Sequence, residues 1–279
     1  MEKQKCRLGL VGKDVSKSTS GRIHQFILSS WGIACEYESI SVACENFDSV
    51  MRTLLGDFDG FNVTIPYKRD VMGYLNETVD DALACGAVNT VVNKTRKGYN
   101  TDGVGFMLML YSAGIDVQGK KVLVLGAGGA GRSCGVALKN AGANVYMYRR
   151  NKKELEELCS QLGLYAVDNP ETGGFDIVIN STGVGMHDSE GKSPVSAKAF
   201  NGASVAVDLI YTPAKSEFLR LAEEKGLKKD VEFYLEFFRY GAPAHGGFGL
   251  GVDRLTMLLL GLTIKEAMFI FRGPDRLNP

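Results

Sequence analysis

The chain has 279 residues, a length that suits one large domain or two modest ones, and 45% of them are hydrophobic and 23% charged. That composition is ordinary for a globular protein and excludes disordered, collagen-like and low-complexity architectures. Lys plus Arg is 32 and Asp plus Glu is 32, so the net charge is zero, which argues against gripping nucleic acid through phosphate neutralisation as the main task. The six cysteines (Cys6, Cys35, Cys44, Cys85, Cys134 and Cys159) have no C-x-x-C spacing and no nearby histidine. Neither a disulfide framework nor a metal site is expected, and a reduced cytoplasm is the expected setting. The N-terminal apolar run is too short for a signal peptide. The most apolar stretch, Leu255 to Ile264, falls short of the ~20 residues that span a bilayer, so no membrane partner is expected.

In chain order, Arg7 to Gly12 reads as a buried strand, Arg22 to Ser30 as a helix and Glu36 to Val42 as a half-buried strand. Asp48 to Gly56 reads as a helix, Gly60 to Ile65 as a strand stopped by Pro66, and Ala87 to Asn93 with Gly98 to Asn100 as a hairpin. This β-α-β-α-β order predicts an α/β domain. Val104 to Gly114, a Met- and Leu-rich helix, leads into a second unit. There Lys121 to Leu125, Asn144 to Tyr148, Asp176 to Asn180 and Ser204 to Leu209 read as strands, and Lys152 to Leu162 and Glu217 to Lys225 as helices. That alternation predicts a doubly wound parallel sheet. After Gly226 the sequence turns rich in Phe, Tyr and Gly, so domain boundaries are expected near Gly103 and Gly226.

Gly126-Ala127-Gly128-Gly129-Ala130-Gly131 fits G-x-G-x-x-G, after a strand and at the head of a helix. Glycines there let the backbone approach a pyrophosphate, and the helix N-terminus supplies N–H donors and a positive dipole end. The alternative is a tight packing turn, but the flanking strands and helix complete the dinucleotide-binding context. NAD-binding domains place an acid at the end of the next strand to hold the ribose 2′-hydroxyl. Here that strand ends in Tyr148-Arg149-Arg150-Asn151-Lys152-Lys153. Dense positive charge without an acid suits a 2′-phosphate, so NADP is expected, with the Arg150 guanidinium as phosphate partner.

Four segments of the first domain set polar residues at strand ends or turns: residues 16–20, 62–68, 86–90 and 99–103. Hydroxyls and amides so placed can orient a small polyhydroxylated substrate. Lys68 and Asp102 could form a proton-transfer pair. From spacing alone, a surface lysine after a turn and an aspartate capping the helix near Val104 are the plainer readings.

Taken together, Ser18-x-Ser20 with His24, Asn62-Val63-Thr64-Ile65-Pro66-Tyr67-Lys68, Gly86-Ala87-Val88-Asn89-Thr90, Asn100-Thr101-Asp102-Gly103, the glycine loop, Asn180-Ser181-Thr182-Gly183-Val184-Gly185-Met186 and Val207-Asp208-Leu209-Ile210-Tyr211-x-Pro213 resemble the shikimate dehydrogenases over about residues 7–226. The resemblance implies reversible NADP-dependent reduction of 3-dehydroshikimate to shikimate, in aromatic amino acid biosynthesis. It implies that Ser18 and Ser20 hold the substrate carboxylate and that Thr64, Asn89 and Asp102 bind ring hydroxyls. Lys68, paired with Asp102, would be catalytic, and Tyr211 would lie near the substrate. Gly126, Gly128, Gly129, Ala130, Gly131, Arg149, Arg150, Asn151, Thr182 and Met186 would bind the cofactor, Met186 near the nicotinamide. The family's usual His-Ser-x-Ser-Pro run has Lys17 and Gly21 at its His and Pro positions here, and Asp14 replaces the proline before it, so a looser loop is expected.

The end of the chain departs further. The family closes on a helix carrying a substrate-touching glutamine, whereas this chain has no glutamine after Gln161. From about Asp230 to Pro279 it resembles instead the third motif of class II aspartyl-tRNA synthetases, in Phe233-Tyr234-Leu235, residues 240–255 and Arg272-Gly273-Pro274-Asp275-Arg276-Leu277-Asn278-Pro279. That resemblance implies an ATP-phosphate contact for Arg254. The synthetases' Arg-x-Glu strand pair and tRNA-binding domain have no counterpart in the chain, so the segment is expected to be structural, and a gene fusion accounts for it. The division expected is therefore a substrate-binding and catalytic domain over 1–103, an NADP-binding Rossmann domain over 104–226 and an atypical strand–helix segment over 227–279. A monomer or homodimer with a small-molecule substrate is expected. Two alternatives stay open: a dinucleotide-binding protein impaired by the replaced terminus, and a synthetase-associated nucleotide module using Arg254.

Overall fold

The computed structural model describes residues 5–16, 18–210, 213 and 215–227. The expectations for Tyr211, Arg254 and the segment 228–279 lie outside the described residues. Over the described residues the chain forms two compact units, 5–79 with 88–101 and 80–87 with 102–227.

The first unit contains β1 (Lys5–Gly12), α1 (Ser20–Ser30), β2 (Ala34–Ser41), α2 (Phe47–Asp57), β3 (Gly60–Val63) and β4 (Glu77–Thr78). After α3 (Asp80–Cys85), which counts with the second unit, come β5 (Thr90–Val92) and β6 (Lys97–Tyr99). The sheet order is β2-β1-β3-β5-β6-β4. β1 runs parallel to β2 and β3, and the β5–β6 hairpin joins β3 antiparallel. The order therefore reverses at β1, with β2 on one side and β3 on the other. Each helix turns one face inward at helical spacing, Ser20, His24 and Leu28 on α1 and Phe47, Met51 and Leu54 on α2. β3 is shorter than the sequence predicts. The Thr64 N–H still reaches the Val11 carbonyl at 2.9 Å, but the Thr64 carbonyl already accepts the Tyr67 N–H at 3.0 Å and turns the chain.

The second unit contains α4 (Asp102–Ser112), β7 (Lys121–Leu125), α5 (Gly129–Asn140), β8 (Asn144–Tyr148), α6 (Lys152–Leu162), β9 (Tyr165–Ala166), β10 (Ile177–Asn180), β11 (Val205–Asp208) and α7 (Glu217–Glu224). Its sheet has the order β11-β10-β7-β8-β9, and every pair is parallel. Alternate residues of the same strands feed two cores. Val122, Val124, Val145, Met147, Ile177 and Ile179 pack with Phe106, Leu110, Cys134 and Leu155. Leu123, Leu125 and Val178 pack with Phe175, Phe200 and Phe218 on the other face. Burial on both faces is why these strands read as unbroken apolar runs, and it makes the sheet doubly wound as the sequence predicts. α4 begins at Asp102, earlier than expected, so Asp102 stands in the first turn, where a carboxylate suits the positive helix end. Among the described residues no helix is long and apolar enough to cross a membrane, and no cluster of His, Cys, Asp or Glu could hold a metal ion.

Candidate functional site

In parallel sheets, ligands bind beyond the carboxyl ends of the strands where the strand order reverses. In the first unit that point is the end of β1 and β3. The β1–α1 loop carries Ser18, Ser20 opens α1, the turn after β3 carries Thr64 and Lys68, and Asn89 precedes β5. Ser18 Oγ donates to Ser20 Oγ at 3.0 Å, and the Ser20 N–H donates to Ser18 Oγ at 3.2 Å. The two hydroxyls expected to hold a carboxylate are thus held as a pair. The Asn89 carbonyl accepts the Val63 N–H at 2.8 Å, and the Lys68 carbonyl accepts the Val88 N–H at 2.7 Å. These bonds bring the Asn89 and Lys68 segments to the end of β3. Asn89 is buried, and its Oδ1 accepts the Thr101 N–H at 3.1 Å while its Nδ2 donates to Thr101 Oγ1 at 3.0 Å. Asp102, also buried, heads α4 in the second unit.

The second unit reverses its order between β7 and β10, and the glycine loop starts there. Its three motif glycines stand in three different environments. Gly126 has φ +104°, and a Cβ on it would lie 2.8 Å from Ser181 Oγ. A Cβ on Gly131 would lie 2.3 Å from the Gly126 carbonyl oxygen and 2.6 Å from Ser181 Oγ, so α5 packs against the turn with no room for a side chain. A Cβ on Gly128 would meet nothing within 4 Å. The outer two glycines are thus required by the protein itself. The middle one leaves an open cradle at the N-terminus of α5, as a pyrophosphate needs. Gly129 and Ala130 form the first turn of α5. Thr182 Oγ1 donates to Asn180 Oδ1 at 2.7 Å and accepts the Val184 N–H at 3.1 Å. A Cβ on Gly126 would lie 3.0 Å from Thr182 Cγ2, so Thr182 borders the loop. The Met186 carbonyl is held by Ser189 Oγ at 2.8 Å.

At the end of β8 the basic run divides. Arg149 pairs with Glu154 at 2.7 Å, and Lys152 pairs with Asp168 at 2.9 Å. Asn151 caps α6, its side chain accepting the Glu154 N–H. Arg150 is exposed and has no ion pair among the described residues. The guanidinium that the sequence points to is the one the fold leaves available for a phosphate.

Several side chains in the quoted motifs have functions that the sequence reading left unassigned. Asn62 is buried between Phe61 and Val63, accepts the Tyr37 hydroxyl at 3.0 Å and donates to Thr90 Oγ1 at 3.2 Å. A polar residue inside an apolar strand was the available signal, since buried amides require partners. Asp208 accepts from Asn180 Nδ2 at 3.0 Å, from the Ile210 N–H at 2.9 Å and from Ser216 Oγ. Burial raises its carboxyl above the ordinary value, and these three donors oppose the rise. Asp208 thereby ties the end of β10, next to Thr182, to β11.

The sequence profile of the shikimate dehydrogenase substrate binding domain matches residues 10–91. The shikimate dehydrogenase (NADP(+)) of Thermus thermophilus is 36% identical over 224 residues, covering 80% of this chain and 84% of that protein. The chain belongs to the shikimate dehydrogenase family. A second family member, from Caldicellulosiruptor saccharolyticus, is 36% identical over 276 residues and covers 93% of this chain and 98% of that protein. The crystal structure of the Thermus thermophilus enzyme in complex with NADP(H) and shikimate superposes with a TM-score of 0.77 at 32% identity, covering 94% of this chain and 98% of that one. A shikimate dehydrogenase from Peptoclostridium difficile gives 0.72 at 34% identity, over 79% of this chain and 83% of that one. The profile of class II tRNA synthetases (D, K and N) matches residues 211–271, in accord with the resemblance of the C-terminus. Its first part overlaps α7, whose Phe218 and Ala222 are buried in the core of the second unit.

Proposed function

We propose that this chain is an NADP-dependent shikimate dehydrogenase, interconverting 3-dehydroshikimate and shikimate in aromatic amino acid biosynthesis. The observation that carries the reading is the pairing of two sites in one chain. A hydroxyl and amide cluster with a lysine lies at one switch point, and a glycine loop with an open centre and an available Arg150 lies at the other. The first suits a small polyhydroxylated acid, and the second suits a dinucleotide bearing a 2′-phosphate. The matching Thermus thermophilus structure holds NADP(H) and shikimate together.

In this reading the carboxylate is held by Ser18 and Ser20, and the ring hydroxyls by Thr64, Asn89 and Asp102, with Tyr211 beside the substrate. The loop Gly126 to Gly131 receives the pyrophosphate, Arg149, Arg150 and Asn151 the 2′-phosphate side, and Thr182 and Met186 the nicotinamide side. NADP, when bound, supplies hydride exchange at the substrate C3. As the alcohol becomes a ketone, its oxygen must lose a proton. Lys68, paired with Asp102, takes that proton and returns it in the reverse direction. Residues 1–103 form the substrate-binding and catalytic domain, residues 104–226 bind NADP and residues 227–279 are structural. The protein works in the cytoplasm as a monomer or homodimer. The test is NADPH absorbance with the full chain, shikimate and NADP+, where turnover well above that with NAD+ is expected. Binding of both ligands without turnover would overturn the reading in favour of an impaired dinucleotide-binding protein.

A further inference from the structure

Behind the serine pair, the first unit holds polar side chains to which the substrate reading gives no role. His24 is 2% exposed, and its Nδ1 lies 2.8 Å from the Ser20 carbonyl oxygen. A carbonyl only accepts, so Nδ1 carries the proton. Nε2 is buried with no polar partner. A second proton there would have no acceptor, and burial accordingly holds this imidazole below its ordinary range. The neutral ring stacks on Tyr37, with centroids 4.7 Å apart and planes at 26°.

Tyr37 is also fitted to the helix that opens at Ser20. A Cβ on Gly21 would lie 3.0 Å from Tyr37 Cδ1, so glycine at the family's proline position admits the tyrosine ring. From Tyr37 a chain of hydrogen bonds with one donor sense leads to the other end of the site. The Ser18 hydroxyl donates to Ser20, and Ser20 opposes the rise that burial imposes on the Tyr37 hydroxyl. Tyr37 donates to Asn62 Oδ1 at 3.0 Å, Asn62 Nδ2 donates to Thr90 Oγ1 at 3.2 Å, and Thr90 Oγ1 donates to Asn89 Oδ1 at 2.9 Å. β1 lies between β2 and β3, with Leu8 opposite Tyr37 and Leu10 opposite Asn62. The Tyr37 side chain therefore reaches across β1 and braces one substrate-binding segment against another.

We propose that Tyr37, locked by the neutral ring of His24 and admitted by Gly21, is a positioning residue that fixes the spacing between the serine hydroxyls and the Asn89 carboxamide. It touches no reacting atom and acts through Ser20 and Asn62. The inference rests on the substrate assignment above. Its consequence is geometric: a ligand gripped at its carboxylate by the serines and at a ring hydroxyl by Asn89 senses the distance between them.

The experiment compares the full chain with Tyr37→Phe, which keeps the stacked ring and removes the hydroxyl. KM for shikimate is expected to rise about tenfold, the effect of one buried hydrogen bond lost with its acceptor left unpaired, while KM for NADP+ stays within about twofold. A shikimate analogue lacking the ring hydroxyl that Asn89 binds should lose far less on the same substitution, a coupling that general destabilisation does not produce. His24→Phe should also raise KM for shikimate, and His24→Asn, whose amide can reach the Ser20 carbonyl, should recover part of the loss. The histidine pair still reads the proposal if Tyr37→Phe does not fold. Unchanged KM for shikimate, or equal losses with shikimate and the analogue, would overturn the positioning role. A parent chain that fails to turn over shikimate would instead refute the substrate assignment itself, so the two failures are distinguishable.

Discussion

The glycine loop makes the sharpest prediction, because two of its glycines should respond to the same substitution in opposite ways. At Gly131 a methyl group would lie 2.3 Å from the Gly126 carbonyl oxygen and 2.6 Å from Ser181 Oγ, overlaps of roughly 1 Å against an ordinary contact. Neither neighbour can give way cheaply. Gly126 is fixed at φ +104°, and Ser181 Oγ is bonded to the Leu125 carbonyl at 2.7 Å. Overpacking of this kind costs about 3 kcal/mol, or about 6–12 °C of Tm for a domain of roughly 150 residues. At Gly128 the backbone is extended, with φ −76° and ψ −172°, and the methyl would meet nothing. Gly128→Ala should leave Tm unchanged or slightly higher, since it restricts the unfolded chain. It should cost cofactor binding instead. Losing one charge-assisted hydrogen bond to the pyrophosphate is worth about 1.5–3 kcal/mol, at least a tenfold rise in KM for NADP+. The assays are thermal unfolding of both variants and NADP+ titration of the folded ones. If Gly128→Ala unfolds as early as Gly131→Ala, or binds NADP+ like the parent, the division of roles is wrong.

Arg150→Ala should raise KM for NADP+ about ten- to a hundredfold, the loss of a charge-assisted contact, and leave KM for NAD+ unchanged. Arg149→Ala should do less, because Arg149 is already paired with Glu154, and equal losses with both cofactors would exclude a 2′-phosphate role for Arg150. Lys68→Ala should lower kcat by about 10²–10⁴ with little change in NADPH affinity measured by fluorescence, and unchanged turnover would remove Lys68 from the mechanism. Stability should carry the signature of His24, whose folded-state pKa is depressed by burial from its ordinary 6.5. A depressed pKa contributes stability present above the unfolded value and lost as the pH falls through the folded one. Tyr37, the titratable group stacked on it, keeps its proton over this range. The Tm advantage of the parent over His24→Phe should therefore shrink from about pH 7 to about pH 5, and a gap that stays constant or widens would show that the ring is not held neutral.

The second unit was legible in its main strands and helices, though not in the two-residue β9. Strands 121–125 and 144–148 and helix 152–162 stand where the sequence placed them, because apolar runs buried on both faces end at strong local signals such as the Asn151 cap and Gly163 in the left-handed region at φ 65°. The first unit was legible in its helices, in β1 to β3 and in the β5–β6 hairpin, but not in its other edge, β4. β4 is two residues long, too short for any hydrophobic period to register, as is the six-residue α3 that follows it and counts with the second unit. The order β5-β6-β4 follows from backbone pairing that side-chain pattern does not encode. In the candidate site, the residues expected to act chemically stand out in the sequence because they cluster in short motifs. Tyr37 and Asn62 could not be linked, since their bond exists only once β1 has been laid between β2 and β3.

The serine loop departs from the family's pattern at a position where a neighbouring strand makes contact. Glycine in place of proline at position 21 removes a constraint on φ, and the sequence therefore predicts a looser loop. In the fold the space is taken up by Tyr37, whose ring lies where a larger side chain would collide. Ser20 is buried, its hydroxyl is bonded by Ser18, and its carbonyl is bonded by His24. The tyrosine that packs on Gly21 from the neighbouring strand also reaches Asn62. If Tyr37 positions the serine pair as proposed, that end of the candidate site depends on the integrity of β2, an edge strand, and changes near Tyr37 should affect substrate affinity even though no motif marks that strand.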